Sequence, residues 1–284
     1  MKMMFSEDNF DRRYLLRKYN SQKVLLVSDL HLGIELEWYR SGLDISNPQW
    51  SFEIIRTLKK DILEIKPTHV LIAGDLEHSF RHFRKGAKKT VQKVWVSGKR
   101  TKEKILNYFN SQILSIEGLT IGLIRGNQDT EYYEALKSQI INYPSSGVLL
   151  FDNQLGVFHG NIKPSEDLLK ANEIVLGHVH PAIELKDELN IKYKFPVFAR
   201  LNITKKEFST LIGRKYKLSD IGEQNITITI LPAYNRFFGG FSLNKSGSEK
   251  EKNNSYPALK NILNHPKLEV QLTDGVYLGR VSDL

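Results

Sequence analysis

Residues 23–33 read Lys-Val-Leu-Leu-Val-Ser-Asp-Leu-His-Leu-Gly, an apolar run that stops at two groups able to hold a metal, Asp29 and His31. Val24 to Val27 show no polar alternation, which predicts a strand covered on both faces, as in parallel sheets with helices outside them. In such sheets ligands gather beyond the carboxyl ends of the strands, so Asp29 and His31 arrive where a site would be built. Two residues apart on an extended segment, both side chains leave one face and can grip one cation. Gly33 lets the backbone turn away. A single Asp-x-His is more often just the polar close of a buried strand. Here the design recurs.

Residues 69–73 form a second apolar run, ending in Gly74-Asp75-Leu76-Glu77-His78. Residues 119–124 lead to Arg125-Gly126-Asn127-Gln128-Asp129, residues 155–158 to His159, and residues 174–176 to Gly177-His178-Val179-His180-Pro181. Between the runs, Trp50, Ile54, Ile55, Leu58, Ile62 and Ile65 recur at helical spacing. Further helices are expected over 102–115 and 131–137, with a long loop over 32–47. Residues 148–151 and 155–158 read as a hairpin, and 193–203 with 225–231 as antiparallel strands. Residues 244–255, charged and rich in Gly, Ser and Asn, read as an exposed loop or linker, followed by a small helix and two strands joined at Asp274-Gly275.

A chain of 284 residues with 40% hydrophobic content can fill one large core. It has no cysteine, which excludes disulfides and thiolate-ligated metals and leaves histidine, carboxylate and amide as ligands. No apolar run reaches the roughly eighteen residues of a membrane span, and the amino terminus lacks the apolar core of a signal peptide. A cytoplasmic protein with no membrane partner is therefore the expectation. The net charge of +9 is concentrated in residues 81–104, where ten Lys or Arg stand against Glu103 alone while the rest of the chain is balanced. Phe83, Val91, Val94, Trp95 and Val96 interleave with that charge, a mixture suited to phosphate backbones and base faces. Within it, Arg81, Arg84, Lys85, Lys88 and Lys89 are the expected substrate contacts, with nucleic acid as the expected partner.

Gathered from the strand ends, Asp29, His31, Asp75, Asn127, His159, His178 and His180 are too many donors for one tetrahedral ion. They suit two ions of higher coordination sharing a carboxylate, for which Asp75 is the candidate. Five of the chain's eight histidines lie in these short motifs. Two cations about 4 Å apart acidify a water between them and clamp phosphate oxygens, so phosphoester hydrolysis is the chemistry this donor set predicts.

The ordered series Asp-x-His, Gly-Asp, Gly-Asn, His and Gly-His-x-His resembles the calcineurin-like metallophosphoesterases over the first two-thirds of the chain. Ser28 to Gly33, Gly74 to His78, Gly177 to Pro181 and Leu231-Pro232-Ala233-Tyr234-Asn235 with Gly239-Gly240 look most like archaeal SbcD-like phosphoesterases and the bacterial DNA-ligase-associated endonuclease. The resemblance implies an α/β fold of four layers, αββα, with two mixed sheets flanked by helices. That domain is expected to span residues 1–243 (core 23–240, basic insertion 81–104), with 244–284 an extension packed on it. The resemblance also implies that Asp29, His31 and His180 hold one ion, Asn127, His159 and His178 the other, and Asp75 both. Manganese is the ion it implies, while the donors also admit iron, zinc or nickel. A homodimer and DNA-repair partner proteins belong to the same expectation.

One position departs from the family pattern: Gln128 stands where a histidine usually follows Gly-Asn. An amide supplies no proton to a leaving alkoxide, and loss of one general acid costs about 10²–10⁴ in rate. The resemblance makes His78, Gln128 and Asp129 the catalytic positions, with His78 orienting the phosphate or protonating the leaving group. The leading expectation is a nuclease-like two-metal phosphodiesterase. The alternatives are a hydrolase of small nucleotides or other phosphoesters, and a catalytically weak nucleic-acid-binding or scaffold protein that keeps its metals.

Overall fold

In the computed structural model, which describes residues 11–40, 48–79, 90–213, 223–245 and 248–284, the chain opens with β1 (Leu15–Tyr19) and β2 (Gln22–Val27). There follow α1 (Glu35–Arg40), α2 (Gln49–Ile65), β3 (His69–Ile72), α3 (Thr90–Phe109), β4 (Thr120–Ile124), α4 (Glu131–Ala135) and β5 (Ile141–Tyr143). The second half comprises β6 (Val148–Leu150), β7 (Leu155–Phe158), β8 (Glu173–Leu176), β9 (Pro181–Lys186), β10 (Lys192–Thr204), α5 (Lys205–Leu211), β11 (Asn225–Ile230) and β12 (Phe241–Ser242). It closes with α6 (Ser248–Ser255), α7 (Lys260–Leu263), β13 (Glu269–Leu272) and β14 (Tyr277–Arg280).

Two mixed sheets result, one in the order β1-β2-β3-β4-β5 and the other β12-β9-β10-β11-β8-β7-β6, with β13 and β14 added beside β10. Alternation within β2 shows how they stack. Val24 and Leu26 face the second sheet, packing with Leu71, Ala73 and Ile124 against Leu155, Val157, Val175 and Leu231. Leu25 and Val27 face outward against Ile55, Leu58 and Ile62 of α2 and Ile105 and Phe109 of α3. The outer face of the second sheet packs Ile174, Leu176, Ile228 and Ile230 against Leu168, Phe208, Leu259, Ile262 and Leu263. The order of layers is helices, sheet, sheet, helices, so a strand apolar at every position is buried from both sides. Strands β2, β3 and β4 run parallel, as do β7 and β8, which brings the carboxyl ends of each set to one edge of its sheet.

Three local expectations are corrected. α3 begins at Thr90, not near residue 102, and the long loop after Gly33 contains α1. Residues 248–255 form a helix rather than a loop, although Ser-Glu-Lys-Glu-Lys-Asn-Asn-Ser carries no apolar periodicity.

Candidate metal centre

Three of the five strand-end motifs place their ligands by the same local device. The apolar residue at the middle of the motif is driven into a core: Leu30 and Leu76 beneath the first helical layer, Val179 beneath the second. Flanking ligands are thereby turned towards the gap between the sheets. The turn is sharp, because Asp29, His31, Asp75, His178 and His180 all adopt positive φ, between 45° and 68°. Left-handed backbone costs a non-glycine residue about 1–2 kcal/mol, and such residues concentrate at functional sites.

Neighbouring glycines remove the Cβ atoms that would fill this gap. A Cβ on Gly126 would lie 2.1 Å from Asp75 Oδ1, and one on Gly74 would lie 2.2 Å from His159 Nδ1. Glycine here is a matter of close approach.

Six of the seven expected ligands fall into two groups whose donor atoms lie within 4.8 Å of one another: Asp29, His31 and His180, and Asp75, His159 and His178. The seventh, Asn127, has Oδ1 3.2 Å from His159 Nε2. In the first group His31 Nε2 is 3.2 Å from His180 Nε2, and Asp29 Oδ1 is 3.1 Å from His180 Nε2 and 3.8 Å from His31 Nε2. Ligands about 2.1 Å from a shared ion sit roughly 3.0–3.4 Å apart, a range that includes the His180 contacts with His31 and Asp29 in the first group and the 3.4 Å between Asp75 Oδ2 and His159 Nε2 in the second, while the 3.8 Å between Asp29 and His31 is wider.

The hydrogen bonding has the same sense. Asp29 Oδ2 accepts from Ser28 Oγ at 2.6 Å and from the His178 amide at 2.9 Å, while its buried Oδ1, 3.1 Å from His180 Nε2, has no hydrogen-bond donor of acceptable geometry among the described residues. One oxygen is fixed and the other is left to a ligand, as a buried carboxylate in a metal site requires. His159 Nδ1 lies 2.7 Å from the Ala73 carbonyl, which assigns its proton to Nδ1 and turns Nε2 towards Asp75.

Electrostatics divide the imidazoles. Burial pushes His31 down to about 3, against the pull of Asp75, and burial with neighbouring His159 pushes His178 down to about 4. Both are neutral at physiological pH, the form that binds metal. His159 goes the other way: burial opposes its charge, but Asp75 raises it to about 9. For Asp29 and Asp75 burial also opposes ionisation, yet His180 beside Asp29 and His159 beside Asp75 hold both carboxyls below their usual range. Two buried carboxylates among imidazoles make a donor set that suits cations.

The three expected catalytic positions lie close by in different settings. Asp129 is 1% exposed and accepts hydrogen bonds from the amides of Asp75, Glu77 and Gly126, so it braces the two ligand loops. Burial and then the charge of Asp75 push its carboxyl up to about 7, against those amides. Gln128 donates its backbone N–H to Asp75 Oδ1 at 2.8 Å, and its side-chain Oε1 accepts from the Ser79 backbone N–H at 3.0 Å. His78 is buried, with Nδ1 3.3 Å from His31 Nδ1 and Nε2 hydrogen-bonded to Glu37. Arg81, Arg84, Lys85, Lys88 and Lys89 lie outside the described residues.

Several residues at the site have no role assigned from the sequence, although Glu77 and Asn235 lie in stretches that carry the resemblance. Buried Glu77 accepts from the Thr130 and Tyr132 amides and forms an ion pair with Lys102 of α3 at 2.6 Å. Asn235, fully buried, donates to the Leu30 carbonyl and pins the loop whose Phe238 ring stacks on His31 at 4.3 Å. The Leu231 to Asn235 stretch carries the resemblance, but read by itself it is a turn and assigns Asn235 no such bond.

Two mixed sheets between helical layers, with two ligand groups at the shared edge, define a metallophosphoesterase architecture, and the chain belongs to the calcineurin-like phosphoesterases, whose family profile matches residues 22–249. It is a hydrolase of that family, with two candidate metal-binding groups. Among solved structures it is similar to the nuclease MPE of Pseudomonas putida, at 16% identity and TM-score 0.49, over 93% of this chain and 100% of that one. It is also similar to Yfce, a phosphoesterase from E. coli, at 18% identity and TM-score 0.31, over 61% of this chain and 81% of that one. A third similarity is to a predicted phosphoesterase from Streptococcus pneumoniae, at 15% identity and TM-score 0.25, over 61% and 70% of the two chains. No curated protein matches the chain. Likeness this distant transfers no substrate. No helix among the described residues is long and apolar enough to cross a membrane.

Proposed function

We propose that the chain is a two-metal phosphodiesterase acting on nucleic acid. One observation carries the two-metal part: Asp75 Oδ2 lies 3.4 Å from His159 Nε2 of one ligand group and 3.8 Å from His31 Nε2 of the other. A carboxylate oxygen between imidazoles of both groups suits a bridging ligand. Asp29, His31 and His180 would hold one ion, Asn127, His159 and His178 the other, and Asp75 both, with manganese favoured and iron, zinc or nickel compatible with the donors.

When bound, such a pair supplies charge stabilisation to phosphate oxygens and a water acidified for attack on phosphorus. The chain's own residues preorganise that arrangement. Ser28 and the His178 amide fix Asp29, the Ala73 carbonyl fixes the His159 ring, and the Gln128 backbone N–H fixes Asp75. At position 128 the side chain offers amide donors to a phosphate oxygen but no titratable proton, so turnover should depend steeply on the acidity of the leaving group.

The nucleic-acid part is supported by charge and by anchorage. The excess of +9 lies in residues 81–104, whose later part is in α3 with Lys99 and Arg100 exposed. The same helix is fastened by Lys102 to Glu77, two residues from Asp75, which links a basic helix directly to the ligand loops. Single-turnover assays with each divalent ion, on single- and double-stranded DNA and RNA and on a small chromogenic diester, test the reading. Cleavage of a polymer that weakens steeply with added salt is expected. Turnover of the small diester alone would assign the chain to small phosphoesters.

A further inference from the structure

We propose that Glu37 is a positioning residue for the first ion, acting on His31 through His78. This rests on the reading of Asp29, His31 and His180 as a metal group. His31 presents Nε2 to the other donors of that group, 3.2 Å from His180 Nε2 and 3.8 Å from both Asp29 Oδ1 and Asp75 Oδ2. Its other nitrogen, Nδ1, lies 3.3 Å from Nδ1 of His78, and His78 Nε2 meets the Glu37 carboxylate.

Two facing imidazole nitrogens can share only one hydrogen, which fixes the whole chain of bonds. An imidazole that gives Nε2 to a cation carries its proton on Nδ1, so His31 donates and His78 Nδ1 accepts. The remaining proton of His78 must then sit on Nε2, where it is donated to Glu37. Only this arrangement satisfies every group with both rings neutral and the carboxylate ionised. Metal-bound histidines are commonly oriented by a carboxylate on the far nitrogen; here a second imidazole is interposed.

The surroundings hold the relay in place. Glu35, two residues before Glu37 on α1, is fully buried and accepts from the Ser51 amide at 2.9 Å and from Ser51 Oγ at 2.7 Å, which anchors the short helix that carries Glu37. Phe238 stacks on the His31 ring at 4.3 Å with the planes 28° apart, which fixes the tilt that the hydrogen bonds leave free. In this arrangement His78 serves a ligand of the first ion through one nitrogen and Glu37 through the other.

The test is calorimetric titration of the full chain with Mn²⁺, in which wild type is expected to take up two ions. Glu37→Ala should weaken one of the two binding events about 10–100-fold and leave the other at its wild-type value. Glu37→Gln, which keeps an acceptor for the His78 proton, should lose less. Because the Glu37 side chain is 56% exposed, added formate should reach the gap in Glu37→Ala and restore part of the affinity, which a purely structural role would not allow. Two wild-type events in Glu37→Ala would overturn the relay while leaving the metal site standing, whereas no uptake by wild type would overturn both. Should Glu37→Ala fail to fold, nitrogen-15 spectra of the zinc-loaded wild type decide: a proton on Nε2 of His78 and Nδ1 of His31 is expected, and a His78 proton on Nδ1 would refute the proposal.

Discussion

Gly177 and Ser28 meet across the two sheets so closely that a Cβ on Gly177 would lie 1.7 Å from Ser28 Oγ and 2.6 Å from Asp29 Oδ2. Neither neighbour can retreat, since Ser28 Oγ bonds Asp29 and Asp29 Oδ2 also receives the His178 amide. Gly177→Ala should therefore force the ligand loops apart, cost about 1–3 kcal/mol of stability and remove at least one metal-binding event. Thermal denaturation and calorimetric titration read the two effects separately.

His159 makes metal uptake depend on pH. Burial opposes its charge but Asp75 raises it to about 9, so near neutrality the metal-free imidazole is protonated, and a cation that takes Nε2 must expel that proton. Affinity at the second group should rise with pH, approaching tenfold per unit between about pH 6 and 8, with one proton released. Titrations in two buffers of different ionisation enthalpy measure the release. A pH-independent affinity would contradict it.

Lys102 and Glu77 form a buried pair in which Glu77 has no exposure and also accepts two amides. Lys102→Met should cost about 3–5 kcal/mol by stranding that carboxylate, and adding Glu77→Gln should return a large share of it. Urea denaturation of the four proteins of the cycle gives the coupling. The double variant should also lose affinity for any polyanion that α3 helps to hold.

On the proposed reading, position 128 sets the demand on the leaving group. Gln128→His should raise the rate on alkoxide-leaving substrates by about 10²–10⁴ while changing little for a nitrophenyl diester, with metal stoichiometry unaltered. Rates across a series of leaving groups, compared between the two proteins, check this.

The strands and the ligand loops were legible because their signals are local, whereas the four-layer arrangement was implied only by the family resemblance. An apolar tetrad followed within two residues by Asp or His states both the strand and its end, and the parallel order of β2, β3 and β4 does the rest. Glu37 and Lys102 were not legible as site residues, since an acid on a short helix and a lysine in a basic run look alike whether they face water or a buried partner, and Glu77, though inside a quoted motif, carries nothing that assigns it the lysine. The start of α3 at Thr90 was hidden because charge breaks the apolar stripe that marks a helix, and α6 has no stripe at all. Asn235 acts through backbone groups more than two hundred residues away, which no local pattern encodes.

Each ligand group draws on both halves of the sandwich: Asp29 and His31 follow β2 and Asp75 follows β3, whereas His159 follows β7 and His178 and His180 follow β8. A bound cation is thus a cross-brace that ties one sheet to the other, so its removal loosens the molecule along the seam as well as silencing it. At a thousandfold excess over Kd one such ion is worth about 4 kcal/mol of folding stability. Chelation should lower the melting temperature by several degrees and speed proteolysis first at the rim, long before either hydrophobic layer gives way.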